Sequence, residues 1–231
     1  MIWRSGFFLF TLFFKVLYMD SQQQSLSDIQ DIKRIMERSS RFISLSGLSG
    51  VAAGIFGLLG AGIAYVWIWD YYAMYNARGR WDLAAFAQLE WRLFLLGMAT
   101  LCLALLSGSY FTWRKARRNK QPMWNSSSKR LVINLCIPLM TGGIFIFAML
   151  LYNDWKFIGP ACLLFYGLAL INGSKYTLDE VRWLGLFEIV LGCINLFLPG
   201  YGLYFWATGF GVLHIIYGIL MWNKYERMAT T

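Results

Sequence analysis

Six long apolar stretches divide this chain, at roughly 43–66, 93–113, 131–152, 157–173, 183–199 and 203–222, and its positive charge collects in every second gap between them. Each stretch approaches the length that crosses a bilayer core as a helix. The sorted side carries Lys33, Arg34, Arg38 and Arg41 before the first stretch, and Arg114, Lys115, Arg117, Arg118, Lys120, Lys129 and Arg130 in the second gap. It also carries Lys175 and Arg182 in the fourth gap, and Lys224 and Arg227 after the sixth stretch. Only Arg78, Arg80, Arg92 and Lys156 fall on the other side, while Arg4 and Lys15 lie in a leader of ambiguous placement. Lys and Arg gather on the cytoplasmic side, so the pattern predicts both termini there. The expected fold is all-α, a polytopic transmembrane bundle of six spans built as three antiparallel hairpins.

A hydrophobic fraction of 58% with 14% charged residues lies far from a soluble globular average. Six spans and short connections consume most of the chain, which leaves little room for a catalytic domain outside the membrane. The net charge of +9 does not indicate nucleic acid, because the basic residues are juxtamembrane and sorted by side. Lipid is the expected partner, and the run Arg114–Lys120 offers a second surface to an acidic one. Trp67, Trp69, Tyr71, Tyr72, Trp81, Trp155, Tyr201 and Tyr204 cluster at one expected interface. Tyr110, Trp113, Trp124, Trp183, Trp222 and Tyr225 cluster at the other, as amphipathic rings do at headgroup level. Cys102, Cys136, Cys162 and Cys193 lie inside apolar stretches without close spacing, so they read as buried small hydrophobes. No metal or cofactor is implied.

Residues 1–24 read as a leader or upstream extension. Phe7–Tyr18 is apolar but short and interrupted by Lys15. It fits translation beginning at Met19, an interfacial segment, or a poorly formed seventh span. Residues 25–42 read as a cytoplasmic amphipathic helix with Leu26, Ile29 and Met36 at helical spacing. Residues 43–222 form the six-helix domain and 223–231 a cytoplasmic tail. Asp70, Asp82 and Glu90 are expected in a long outer loop with Arg78 and Arg80, and Asp179 and Glu180 in a short inner one.

The first stretch is rich in small residues, with Gly50 and Gly54 at the spacing that lets helix backbones touch, inside the bundle or between copies. Tyr166-Gly167 followed by Asn172 matches Tyr217-Gly218 followed by Asn223, and Trp155 matches Trp206 at the same offset. This suggests a duplicated helix pair, with the first two spans a diverged third copy.

Glu188 and His214 are the ionisable side chains placed well inside spans. A charge at depth costs at least about 2.5 kcal/mol on insertion scales, so each needs a partner or a neutral state. Counted from the turn near Gly200, the two lie at nearly equal depth in one hairpin. Gly185 and Gly192 flank Glu188, and Gly211 and Gly218 flank His214 at the same offsets. A hydrogen bond between the fifth and sixth spans is therefore expected, as a structural clamp or as a group handling protons or substrate. Asn134, Asn172 and Asn195 either extend a polar seam or bond to nearby carbonyls. Gly47-Leu48-Ser49-Gly50 has the form of a rhomboid-protease serine motif, with His214 as the base. The serine, however, lies in the first span, and the second span lacks that family's histidine and asparagine.

The runs Val181–Glu188, Pro199–Gly202 and Gly211–Gly218, together with Ser39–Gly50, resemble uncharacterised six-span membrane proteins of Bacteroidetes-type bacteria. The glycine-bearing hairpins with a proline turn are also similar to HdeD-like membrane proteins linked to acid resistance. The resemblance covers the chain from about Asp28 onward and implies a bacterial inner-membrane location without an activity. Taken together, the sequence points to a non-enzymatic bundle with a regulatory, stress-related or partner-binding role, associating with itself or another membrane protein. The alternatives are a small transporter or proton-coupled carrier using Glu188 and His214, and, more remotely, an intramembrane serine protease using Ser49 and His214.

Overall fold

The computed structural model describes residues 45–79, 82–120, 122–152 and 154–227, with Arg78 by its backbone alone. The leader, the amphipathic segment before Leu45, Arg80, Trp81 and the last four residues lie outside the described residues. Among those described, the regular structure is helical throughout: α1 (Gly47–Arg78), α2 (Leu83–Arg118), α3 (Ser126–Leu151), α4 (Ile158–Ser174), α5 (Glu180–Leu196) and α6 (Gly202–Arg227). A short 3-10 turn, Trp155–Phe157, leads into α4. Five helices are long and apolar enough to cross a membrane: α1, α2, α3, α4 with its leading turn, and α6. The fifth apolar stretch forms α5, whose 17 residues cover about 26 Å at 1.5 Å per residue.

Helix ends follow local chemistry more than hydropathy. α1 runs on through Trp67–Arg78, where no Gly or Pro interrupts it, and stops at Gly79. Gly79 takes the left-handed conformation at φ 64° and donates its N–H to the Tyr75 carbonyl, as αL caps do. Asp82 then caps α2 by accepting from the Ala84 and Ala85 amides. The expected long outer loop is therefore mostly helix: Asp70 lies on α1 and Glu90 on α2. Asn125 and Ser128 cap each other reciprocally at the start of α3.

α1 packs on α2, α3 on α4, α4 broadly on α5, and α6 on α1. The α5–α6 contact, within the pair expected to form a hairpin, is the slighter one. Glycines explain the difference. A Cβ on Gly167 would lie 2.7 Å from the Gly185 carbonyl and 3.0 Å from the Ile189 amide, so α4 and α5 touch backbone to backbone. The repeat mate Gly218 meets α1 alike, 2.6 Å from the Gly47 carbonyl and 2.5 Å from the Val51 amide. Gly185 and Ile189 are spaced as Gly47 and Val51 are, so the α4–α5 and α6–α1 contacts share one register.

α3 contains Pro138, which has no N–H for the Asn134 carbonyl four residues back. The Asn172 side chain of α4 donates to that carbonyl instead, at 2.9 Å. Outer faces of α2 and α3 present Leu105, Leu106, Ile133, Met140, Ile144 and Phe147 to the surroundings. Such area is untenable in water and natural against lipid. The cysteines follow this pattern. Cys102, Cys136 and Cys193 are exposed and only Cys162 is partly covered, contrary to the buried placement expected, because the apolar stretches are lipid-facing rather than core-facing.

Candidate functional site

Glu188 is completely buried, 0% exposed, and its Oε1 lies 3.5 Å from Nδ1 of His214. The sixth helix makes this approach possible. Residues Ala207–Leu213 are wound as a π-helix, and Gly209 within that segment faces the Glu188 carboxylate and Leu163. A Cβ on Gly209 would overlap both, so only glycine lets α6 pass there.

The imidazole makes two hydrogen bonds, neither to the carboxylate. Nδ1 contacts the Gly209 carbonyl at 2.9 Å and Nε2 contacts the Tyr166 hydroxyl at 2.8 Å. A carbonyl only accepts, so Nδ1 carries the proton toward Gly209, and the Tyr166 hydroxyl then donates to Nε2. Phe210 stacks on the His214 ring, with centroids 6.0 Å apart, and also packs on Tyr166. Both Glu188 oxygens are buried without a hydrogen-bond partner among the described residues. The structure thus brings the sequence-predicted pair side by side and adds Tyr166 from α4 and the Gly209 carbonyl. Tyr166 stood out in the sequence only as a repeat mark, since a tyrosine in an apolar stretch reads as packing.

The other candidate residues are placed elsewhere. Gly185 and Gly192 lie against Gly167 and Leu164 of α4, while Gly211 and Gly218 lie against Leu58 and Val51 of α1. The glycine faces of α5 and α6 therefore seat neighbouring helices rather than each other. Gly50 and Gly54 oppose Gly218 and Gly211 inside the bundle. The Ser49 hydroxyl turns back to the Ser46 carbonyl, and with both His214 nitrogens engaged the two side chains form no dyad. Asn134 and Asn195 bond to the Arg130 and Leu198 carbonyls, and among the described residues no three His, Cys, Asp or Glu side chains gather to hold a metal.

Two polar clusters mark the basic end of the bundle. Glu226 accepts from the Ser46 hydroxyl at 3.1 Å, from the Gly47 amide at 2.7 Å and from Lys115 at 3.4 Å. Lys115 also donates to the Leu45 carbonyl at 2.7 Å. Glu180 pairs with Lys224 and accepts from the Tyr225 hydroxyl at 2.7 Å. Partial burial raises the Glu180 carboxyl, but the hydrogen bonds from Lys224 and Tyr225 outweigh it and hold it below the usual range. Sequence reasoning left Glu180 as loop surface and gave Glu226 no role. Comparison with protein-family models, curated proteins and solved structures returns no match.

Proposed function

We propose that this chain is a non-enzymatic inner-membrane protein of six spans, with both termini cytoplasmic. In this reading the Tyr166–His214–Glu188 group is a polar clamp joining α4, α5 and α6. Its role is regulatory, stress-related or partner-binding, in keeping with the resemblance to HdeD-like proteins. The observation that carries this reading is Glu188 at 0% exposure, packed between Gly209, Leu163 and His214. A transported substrate would need space at that carboxylate, and three helices fill it. Single cysteines placed from Arg182 to Leu198 in a background lacking the native four test the point. Positions 185, 188 and 192 are expected to resist an aqueous maleimide in membrane vesicles. Labelling there would replace the clamp with a water-filled path.

A proton-coupled carrier remains the second reading, favoured by the two carboxylate oxygens that lack hydrogen bonds among the described residues. Ionisable groups inside membrane spans recur in the proton relays of pumps and transporters.

A further inference from the structure

We propose that Glu188 exchanges its proton with the basic end of the bundle through a file of tyrosines, in which Tyr217 is the relay between Tyr166 and the Glu180–Tyr225 cluster. This rests on the clamp's placement of Glu188 beside His214 and adds a route that a clamp does not need.

Tyr217 lies three residues beyond His214 on α6, about one turn nearer the basic end. Its hydroxyl is buried and has no hydrogen-bond partner among the described residues. A tyrosine hydroxyl in that condition is costly, and a phenylalanine there would fill the same space without the cost. Tyr217 and Tyr166 both pack on the buried cluster of Leu170, Val181 and Leu184. Tyr217 is also within electrostatic reach of Tyr166, Tyr225 and Glu180. Above it, Tyr166 is bonded to His214, and below it, Tyr225 is bonded to Glu180. Tyr217 therefore stands between two hydrogen-bonded pairs, on the buried cluster that also seats Tyr166.

Toward the other end the buried neighbours of Tyr166 on α4 are apolar. Leu163 and Pro160, both fully buried, lie on the α4 turns leading from Tyr166 toward the other end. The titratable groups around the file are Glu188 and Glu180 from α5, Tyr166 from α4, and His214, Tyr217, Lys224 and Tyr225 from α6. Glu226, also on α6, is held by Lys115 of α2.

The transfer balances. The His214 Nδ1–H first leaves the Gly209 carbonyl for Oε1 of ionised Glu188, 3.5 Å from Nδ1, and its proton passes there as Nε2 takes the Tyr166 proton. Tyr166 is refilled from Tyr217, and Tyr217 from water at the Tyr225 hydroxyl. The net change is one proton from the aqueous phase to the carboxyl, leaving the imidazole in its other neutral tautomer. A water bridging Tyr217 to each neighbour would span what side-chain rotation does not.

Infrared spectroscopy of the full chain in phosphatidylcholine–phosphatidylglycerol vesicles tests this. The protonated Glu188 carboxyl is identified as the carbonyl band lost in Glu188→Gln, and its shift is timed after transfer to deuterated buffer. Tyr217→Phe is expected to slow the shift by about tenfold or more. Tyr204→Phe, at the other end of α6, is expected to leave it unchanged. Tyr225→Phe, nearer the surface, repeats the test if Tyr217→Phe lowers the yield of folded protein. Wild-type exchange in both Tyr217→Phe and Tyr225→Phe, equal slowing by Tyr204→Phe, or no Glu188-dependent band would each overturn the relay. The clamp fails separately, on maleimide labelling of the Glu188 face.

Discussion

At Gly209 a single missing methyl group decides whether α6 can lie against Glu188. Gly209→Val would drive a branched side chain into the carboxylate and Leu163, and overpacking of that kind costs about 1–3 kcal/mol. The expected outcome is a lower unfolding temperature in detergent, whereas Gly62→Val, at a glycine facing open space, leaves it unchanged. Glu188 and His214 were legible in the sequence because the bilayer makes ionisable residues expensive, so their presence demands an explanation. Tyr166 and the Gly209 carbonyl were not. A tyrosine carries no such penalty signal, and a backbone carbonyl that meets a side chain within a π-helical segment leaves no mark in residue type. The expected Glu188–His214 hydrogen bond is replaced by a 3.5 Å contact, because Gly209 offers the imidazole N–H a carbonyl on its own helix.

Among the elements, the backbone contacts of α4 with α5 and of α6 with α1 are set by glycines at matching steps. The sequence showed these glycines but not their partners. Spacing says that a face is flat, and only tertiary packing says what lies on it. The start of α1 depends on the end of α6 through a carboxylate. Glu226 satisfies the Gly47 amide, an orphan donor of the first turn, and sits where the helix dipole favours negative charge. Glu226→Gln is expected to destabilise the bundle by about 1 kcal/mol. The same change in a Lys115→Met background should cost less, because Lys115 pairs with Glu226. A double-mutant cycle of thermal unfolding measures the coupling, and strict additivity would remove Lys115 from the lock.

For the molecule as a whole, the alternation of charge and apolar length was the readable part. It led to an all-helical architecture with helices able to cross a membrane, which the described residues contain. Hydropathy read less well at the ends, because α1 and α2 continue as helix past their apolar stretches to 32 and 36 residues. At 1.5 Å per residue they reach about 48 and 54 Å, beyond a hydrocarbon core of about 30 Å. A fluorescent reporter fused behind Thr231 is expected to be active inside the cell, and one inserted at Gly79 to be active outside it as an alkaline phosphatase fusion. Both sites reporting the same side of the membrane would contradict the five crossings expected between Gly79 and Thr231. The bond from Asn172 to the Asn134 carbonyl bears on how such a chain is made. Until α4 emerges from the ribosome, α3 would enter lipid with a bare oxygen above its proline, so the translocon is expected to hold the third segment and release it together with the fourth.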